Sequence, residues 1–381
     1  MTLLEGILIA DFSQFLSGPS ASLRLADLGA EVIKFEREGT GDICRTLYVS
    51  DTRIEGESTI FHAINRNKKS FTLNLKTPTG LKKAKKILAT ADVLIHNFRP
   101  GVMESLGLSY EEVYTVHPEI IYAEISGYGT EGPWRDRPGQ DLLVQSVSGL
   151  TYLSGNRNDP PTPMGVSISD IYAGAHLVQG ILAALFQKNR TGKGARVQVS
   201  LLESMLDFQF EAITCYYNDG RQLPERSEIN NANAYVAAPY GVYKTKDGYL
   251  ALAMNSITVL GELLKCPPLS VYTDSKKWFS QRDEIKKILS DHLKSQSTGY
   301  WLEILEPADI WTAEVLDYSG LVDHPGYEVL KMEQDVLFGN GFKMKTTRCP
   351  IRINGKRLTS STGAPSLGEH TLEIEKKFGL T

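Results

Sequence analysis

Cysteine is scarce in this chain: Cys44, Cys215, Cys266 and Cys349 are four among 381 residues, far apart and with no C-x-x-C pair. Neither a disulfide framework nor a thiolate zinc site is therefore signalled. Charge of one sign is not in excess either. The formal net charge is −4, which gives no electrostatic pull toward nucleic acid or an anionic membrane. The densest basic run, Lys82-Lys83-Ala84-Lys85-Lys86, reads as a solvated helix face. Long apolar runs are missing, since Gly180 to Phe186 falls far short of the roughly 18 residues a membrane span needs. The first residues contain Glu5 and Asp11 and do not read as a signal peptide, so the expected location is cytoplasmic. H-E-x-x-H, G-x-S-x-G and Walker A signatures are absent, and the histidines do not cluster at metal spacing. No metal is expected.

What remains is an ordinary globular composition, 41% hydrophobic and 23% charged, in a chain long enough for two or three domains. Strand-like and helix-like segments alternate at the start. Ile7–Phe12, Glu31–Glu36, Ser70–Leu75, Val93–His96 and Ile120–Ile125 read as strands. Helices are expected over Ser20–Leu28, Thr79–Ala89 and Val102–Val116. This is the pattern of an α/β fold with an open, mostly parallel sheet, in which ligands bind beyond the carboxyl ends of the strands. A strand at Arg196–Ser200 and a helix over Glu203–Tyr217 follow. Asn218–Ala234 is polar and irregular, Tyr240–Met254 reads as a hairpin turning at Lys246-Asp247-Gly248, and short strands return after Gly326. The expected division is a large domain over 1–217, completed by 327–381, and a linker with a smaller α+β domain over 218–326.

The segment Met164–Gly174 puts one carboxylate, Asp170, between a Gly/Ser-rich turn and a long apolar helix over Ile171–Lys188. Free backbone N–H groups and the helix dipole would keep an acid there ionised. Such a carboxylate serves as a nucleophile toward an activated carbonyl, or simply as an N-cap, which is the commoner role. Gly174 and Gly180 in that helix permit close packing or are tolerated breaks. His176 reads as a hydrogen-bonded interior histidine. Gly127-Tyr-Gly129-Thr-Glu-Gly132 matches G-x-G-x-x-G, but the Pro133 to Pro138 stretch after it cannot open the helix that a dinucleotide fingerprint requires. It reads as a loop. Arg37 and Lys76 stand where a phosphate would be met at strand ends, and solvated side chains are the plainer reading.

Taken in order, these pieces resemble the class III coenzyme A transferases, the family of formyl-CoA transferase and crotonobetainyl-CoA:carnitine CoA-transferase. The resemblance rests on Asp11-Phe12…Ser17-Gly18-Pro19, Leu28 to Lys34, Asn67 to Ser70, Asn97-Phe98-Arg99-Pro100-Gly101, Ser126 to Gly129, Gly165 to Asp170, Val199 to Glu203, Pro239 to Tyr243 and Leu367 to His370. It implies a Rossmann-like large domain, a smaller domain between the chain ends, and an interlocked homodimer. It implies no tightly bound cofactor, with coenzyme A and acyl-CoA as substrates. It assigns Asp170 as covalent nucleophile. Arg37, Leu73, Lys76, Asn97 and Phe98 match coenzyme A contacts, with Arg99 in the same turn and Leu16 and Ser17 in the first turn added to them. Gln140 and Tyr128 are placed near the transferred group, and the turn Ser13–Gly18 is expected to help stabilise an oxyanion.

Formyl-CoA transferase has a glutamine where this chain has Leu16, and a second-domain glycine tetrad that is absent between Asn218 and Ala238. A larger, less polar acyl group is therefore expected. An α-methylacyl-CoA racemase of the same fold is the rival reading. It needs two opposed acid/base groups, and Gln140 supplies no titratable proton where racemases have histidine. A non-catalytic acyl-CoA-binding protein is the third.

Overall fold

The computed structural model describes residues 2–47 and 52–380. Six short segments, β1 (Leu8–Asp11), β2 (Glu31–Glu36), β3 (Lys69–Thr72), β4 (Val93–His96), β5 (Ile121–Ser126) and β6 (Ala195–Ser200), form one sheet in the order β3-β2-β1-β4-β5-β6. Every neighbouring pair is parallel, with Ile9 opposite both Val32 and Val93. Ile9, Ala10, Val93, Leu94 and Ile95 are wholly buried, as expected of strands covered on both faces. Phe12, Phe35, Phe71, Ile87, Leu94 and Tyr122 belong to the core on one face of the sheet. Phe12 and Phe35 stack there at 4.2 Å between ring centroids.

Helices α1 (Ser17–Asp27), α2 (Pro78–Leu88), α3 (Tyr110–Val116), α4 (Asp141–Val147), α5 (Ile168–Thr191), α6 (Leu201–Phe208) and α7 (Phe210–Asn218) fall between and after the strands. The single helix expected over Val102–Val116 is broken. Gly107 takes φ = +71°, and Ser109 opens α3 with a reciprocal capping box to Glu112. The helix expected from Glu203 is likewise two, α6 and α7, parted at Gln209. The Asp170 helix starts three residues earlier than expected, with Ser167 at the cap position, and stops at Gly192 in the left-handed conformation. Among the described residues α5 is the one helix long and apolar enough to cross a bilayer by length and composition. Here Leu177 and Ile181 are wholly buried.

The chain divides into two compact units. The first comprises Met1–Val144, Ser167–Phe208 and Val329–Thr381, and the second Gln145–Val166 and Gln209–Glu328. Two segments expected in the first, Gln145–Val166 and Gln209–Tyr217, thus sit in the second. Polar side chains explain the earlier segment's place. Arg226 donates to the Asp159 carbonyl at 2.6 Å and Asn231 to the Gly155 carbonyl at 2.9 Å, giving irregular backbone the partners it otherwise lacks. The second unit has its own antiparallel sheet, β7 (Gly241–Lys244), β8 (Tyr249–Leu252) and β9 (Thr312–Glu314), and its own core around Tyr243, Leu250, Leu260, Ile285 and Trp301. In the first unit the C-terminal helix α8 (Thr371–Phe378) returns to the large sheet. Its Ile374 joins the core, and the His370 N–H donates to the Ser70 carbonyl at 3.1 Å.

Candidate active site

The strand order reverses between β1 and β4, the place where open parallel sheets bind ligands. Two segments leave the strands there, Phe12–Leu16 from β1 and Asn97–Arg99 from β4. They are tied together by Asn97. Its Oδ1 accepts from the Gln14 N–H at 2.8 Å, and its Nδ2 donates to the Gln14 carbonyl at 2.6 Å. The Ser13 N–H donates to Asp11 Oδ1 at 2.9 Å and the Phe15 N–H to Asp42 Oδ1 at 3.1 Å. The N–H groups of Ser13, Gln14 and Phe15 are therefore committed inside the protein. Within the expected oxyanion turn the open donors move to the first turn of α1, Ser17 and Gly18, where the cap residue Leu16 offers no side-chain acceptor.

Asp170 reaches that turn because α1 and α5 pack closely. Gly174 lies one turn beyond Asp170 on the same face of α5. A Cβ at Gly174 would stand 2.3 Å from Ser20 Oγ and 2.8 Å from the Ser17 carbonyl oxygen. No side chain fits, and the helices meet backbone to backbone. The result places the Ser17 hydroxyl in hydrogen-bond contact with the Asp170 carboxylate. Asp170 is 6% exposed.

The plain capping role is not what the structure shows. Asp170 is the third helical residue, and the N–H of Ser169 is satisfied from elsewhere in the chain, by Asp141 Oδ1 at 2.8 Å. Asp141 Oδ1 also accepts from the Ser169 hydroxyl at 2.6 Å. Nor is Asp170 held firmly ionised as its helix position suggested. Burial pushes its pKa up to about 7, the nearby Asp141 charge adds to this, and the Ser17 hydrogen bond opposes it. A carboxyl group poised near neutrality in a cleft is a candidate for chemistry.

Two cavities open at the switch point. One is lined by Asp170, Ser17, Asn97, Phe98, Arg99 and Gln140, together with Phe15, Ser126, Gly127 and Leu201. The other is lined by Arg37, Leu73, Lys76 and Phe98, with apolar Phe35, Leu75, Val102 and Leu106. Gln14 and Phe98 line both. The expected site residues are thus brought together, apart from Leu16 and Tyr128. Leu16 packs against the cluster of Cys44, Phe61 and Phe338 and lines neither cavity, because the chain reverses at Phe15 with φ = +69°. The inference of a less polar acyl group from Leu16 loses its basis. Tyr128 lines a separate cleft beside Glu124 and Glu203, and its hydroxyl donates to the Pro138 carbonyl at 3.3 Å.

Gln14 and the capping function of Asp141 were not legible, the latter because its partner lies 28 residues away. The glycines did carry a signal. Gly127 and Gly139 cross backbone to backbone, a Cβ on Gly127 falling 2.6 Å from the Gly139 Cα. They close the base of the loop that resembled a dinucleotide fingerprint. His176 is half-buried, with Nε2 3.2 Å from Asp207 and Nδ1 3.0 Å from the Ser204 hydroxyl. Among the described residues no His, Cys, Asp or Glu cluster is arranged to hold a metal ion.

A profile of CoA-transferase family III matches residues 4–371. Human (Homo sapiens) succinyl-CoA:glutarate CoA-transferase is 33% identical over 385 residues, covering 98% of this chain and 85% of that protein. Acetyl-CoA:oxalate CoA-transferase of Acetobacter aceti is 33% identical over 384 residues, covering 98% and 95%. The crystal structure of a CaiB/BaiF family protein from Brucella suis superimposes with a TM-score of 0.85 at 28% identity, over 99% of both chains. With a buried carboxylate at the switch point and this match from end to end, the chain belongs to CoA-transferase family III and is an acyl-CoA:carboxylate CoA-transferase.

Proposed function

We propose that Asp170 carries the coenzyme A group covalently between two carboxylic acids. The observation that supports this most directly is a carboxylate 6% exposed, touching the first turn of α1 and lining the cavity next to Arg37 and Lys76. Arg37 and Lys76 bind the phosphates of the acyl-CoA, and the thioester reaches past Gln14 and Phe98 toward Asp170. An Asp170 oxygen attacks the thioester carbonyl. The C–S bond breaks, leaving a mixed anhydride and a CoA thiolate. The thiolate attacks the Asp170 acyl carbon, releasing the donor acid and forming an aspartyl–CoA thioester. The acceptor carboxylate then attacks this thioester and expels the thiolate again. The thiolate takes the acceptor's acyl group, and the Asp170 carboxylate is regenerated. Ser17 and Gly18 N–H groups face the developing oxyanions. One thioester is consumed and one formed, so the cycle needs no other energy source.

A short dicarboxylic acid is the favoured acceptor class. Two relatives are named for glutarate and oxalate, and Arg99 places a cation on the wall of the Asp170 cavity. The working unit in this reading is a homodimer in the cytoplasm. Exposed Ile171, Phe186 and Leu206 on α5 and α6 form apolar surface of the kind a second copy covers.

The test is trapping. Incubation with an acyl-CoA and hydroxylamine converts Asp170 to a hydroxamate, read as a mass increase on its peptide, while Asp170→Asn gives neither adduct nor turnover. Full transfer by Asp170→Asn overturns the mechanism.

A further inference from the structure

Phe15 is held at φ = +69°, a left-handed conformation that a glycine adopts without cost and a residue with a Cβ does not. The glycine nearby in sequence is Gly18, where a Cβ would stand 2.3 Å from the Ser13 Cβ. The strain at Phe15 is therefore imposed from outside the turn, and its source is visible. The Phe15 N–H donates to Asp42 Oδ1, which also accepts from the Cys44 N–H at 2.9 Å. Asp42 is paired with Lys34 at 2.7 Å, and both side chains are completely buried. Lys34 Nζ in turn donates to the Ser13 carbonyl at 2.9 Å. The Asp42 N–H is fixed by Glu36, which Arg45 grips with two nitrogens at 2.7 and 2.8 Å.

A buried ion pair is seldom needed for stability, since apolar side chains of similar volume serve as well. Besides the Cys44 N–H, this pair directs its hydrogen bonds to the backbone of one turn, at Ser13 and Phe15. That turn forms part of the Asp170 cavity, which Phe15 lines. Backbone strain maintained by such surroundings is a mark of a functional constraint.

We propose that Asp42, locked by Lys34, is a positioning residue that holds Phe15 in its left-handed conformation as a wall of the Asp170 cavity, and so directs the acyl group onto the carboxylate. The proposal rests on the reading of that cavity as the site of transfer. It assigns acyl-group discrimination to Phe15, the neighbour of Leu16.

The experiment is a double-mutant cycle on kcat/KM, using Asp42→Asn, Phe15→Gly and the pair. Asp42→Asn keeps an acceptor oxygen and loses the charge that Lys34 fixes, and kcat/KM falls about 10-fold or more as the turn relaxes. Glycine at position 15 needs no clamp. The double variant therefore matches Phe15→Gly alone, because Asp42 acts only through that residue. Losses that multiply, or an Asp42→Asn enzyme indistinguishable from wild type, overturn the proposal. If Asp42→Asn does not fold, Phe15→Ala decides. It keeps the Cβ and removes the ring, and the ratio of kcat/KM for succinyl-CoA over acetyl-CoA changes by roughly 10-fold. An unchanged ratio overturns the wall. Failure of wild-type Asp170 to form the hydroxylamine-trapped adduct removes the transfer reading and this proposal with it. A normal wild-type adduct with multiplying losses removes this proposal alone.

Discussion

Around Asp170 the polar groups that hold the turn and the helix start are already engaged with one another, with Arg99 left exposed on the cavity wall, whereas the cavity beside it presents exposed cations and an apolar floor. Asn97, Asp42 and Asp11 hold the β1–α1 turn, Ser17 meets Asp170, and Asp141 holds the start of α5. Next door, the Arg37 and Lys76 side chains are exposed and form no ion pair among the described residues, over Phe35, Leu73, Leu75 and Leu106. Chemistry needs groups fixed before the substrate arrives, and phosphate capture needs charge that solvent and ligand can both reach. The contrast implies that substitutions in the first cavity act on turnover and those in the second on binding.

The largest effect is expected at Gly174. Gly174→Ala drives a methyl group into the Ser17 carbonyl and pushes α1 away from Asp170. A displacement of that size lowers kcat by roughly 100-fold while the KM for acyl-CoA changes little. Steady-state kinetics with varied donor checks the split. A loss confined to KM would erase the distinction between the cavities. In the second cavity, Arg37→Ala or Lys76→Ala raises the KM for the acyl-CoA by about 10-fold each with kcat retained, the effect of one charge-assisted contact to phosphate. Dephospho forms of the donor should lose the penalty at whichever residue holds the missing phosphate.

Asp141 offers a finer cut. It raises the pKa of Asp170 by its charge and holds the Ser169 N–H through Oδ1. Asp141→Asn keeps an oxygen for the N–H and removes the charge. The acid limb of the kcat/KM profile, set near 7 by Asp170, is expected to move to lower pH. A profile that stays in place would show that burial alone governs the Asp170 carboxyl.

The same contrast explains what could be read from the sequence. The four central strands were legible because each is a largely apolar run between turns, and burial on both sheet faces demands that pattern. Arg37, Lys76, Asn97 and Phe98 were legible as strand-end residues, since the fold itself brings strand ends together, whereas Leu73 came from the resemblance. The interior of the Asp170 cavity was not. Asp170 as nucleophile came from the resemblance, because residue type and a nearby helix fit a cap equally well. The helix start was misplaced because its N–H partner, Asp141, is remote in sequence. Leu16 came from the resemblance, and nothing in the sequence marks Phe15 as left-handed. The buried Asp42–Lys34 pair that imposes it joins residues separated by a strand end and a loop.

Thermal stability separates the cost of holding Asp170 from its use. Its folded pKa, about 7, lies above the ordinary aspartate value of 3.8. Below 3.8 the group is protonated in both states and imposes no penalty. As pH rises, the unfolded chain releases the proton first, and the folded state keeps it until about 7. The stability contribution is therefore lost across that window and stays lost above it. The displacement from 3.8 to about 7 corresponds to roughly 4 kcal/mol. The amide introduced by Asp170→Asn is neutral throughout. The Tm advantage of that variant over wild type should grow from about pH 5 to about pH 7 and then level off. Thermal denaturation at several pH values measures it. A constant gap would mean that Asp170 is as well solvated as an exposed carboxylate, and the first cavity would then resemble the second.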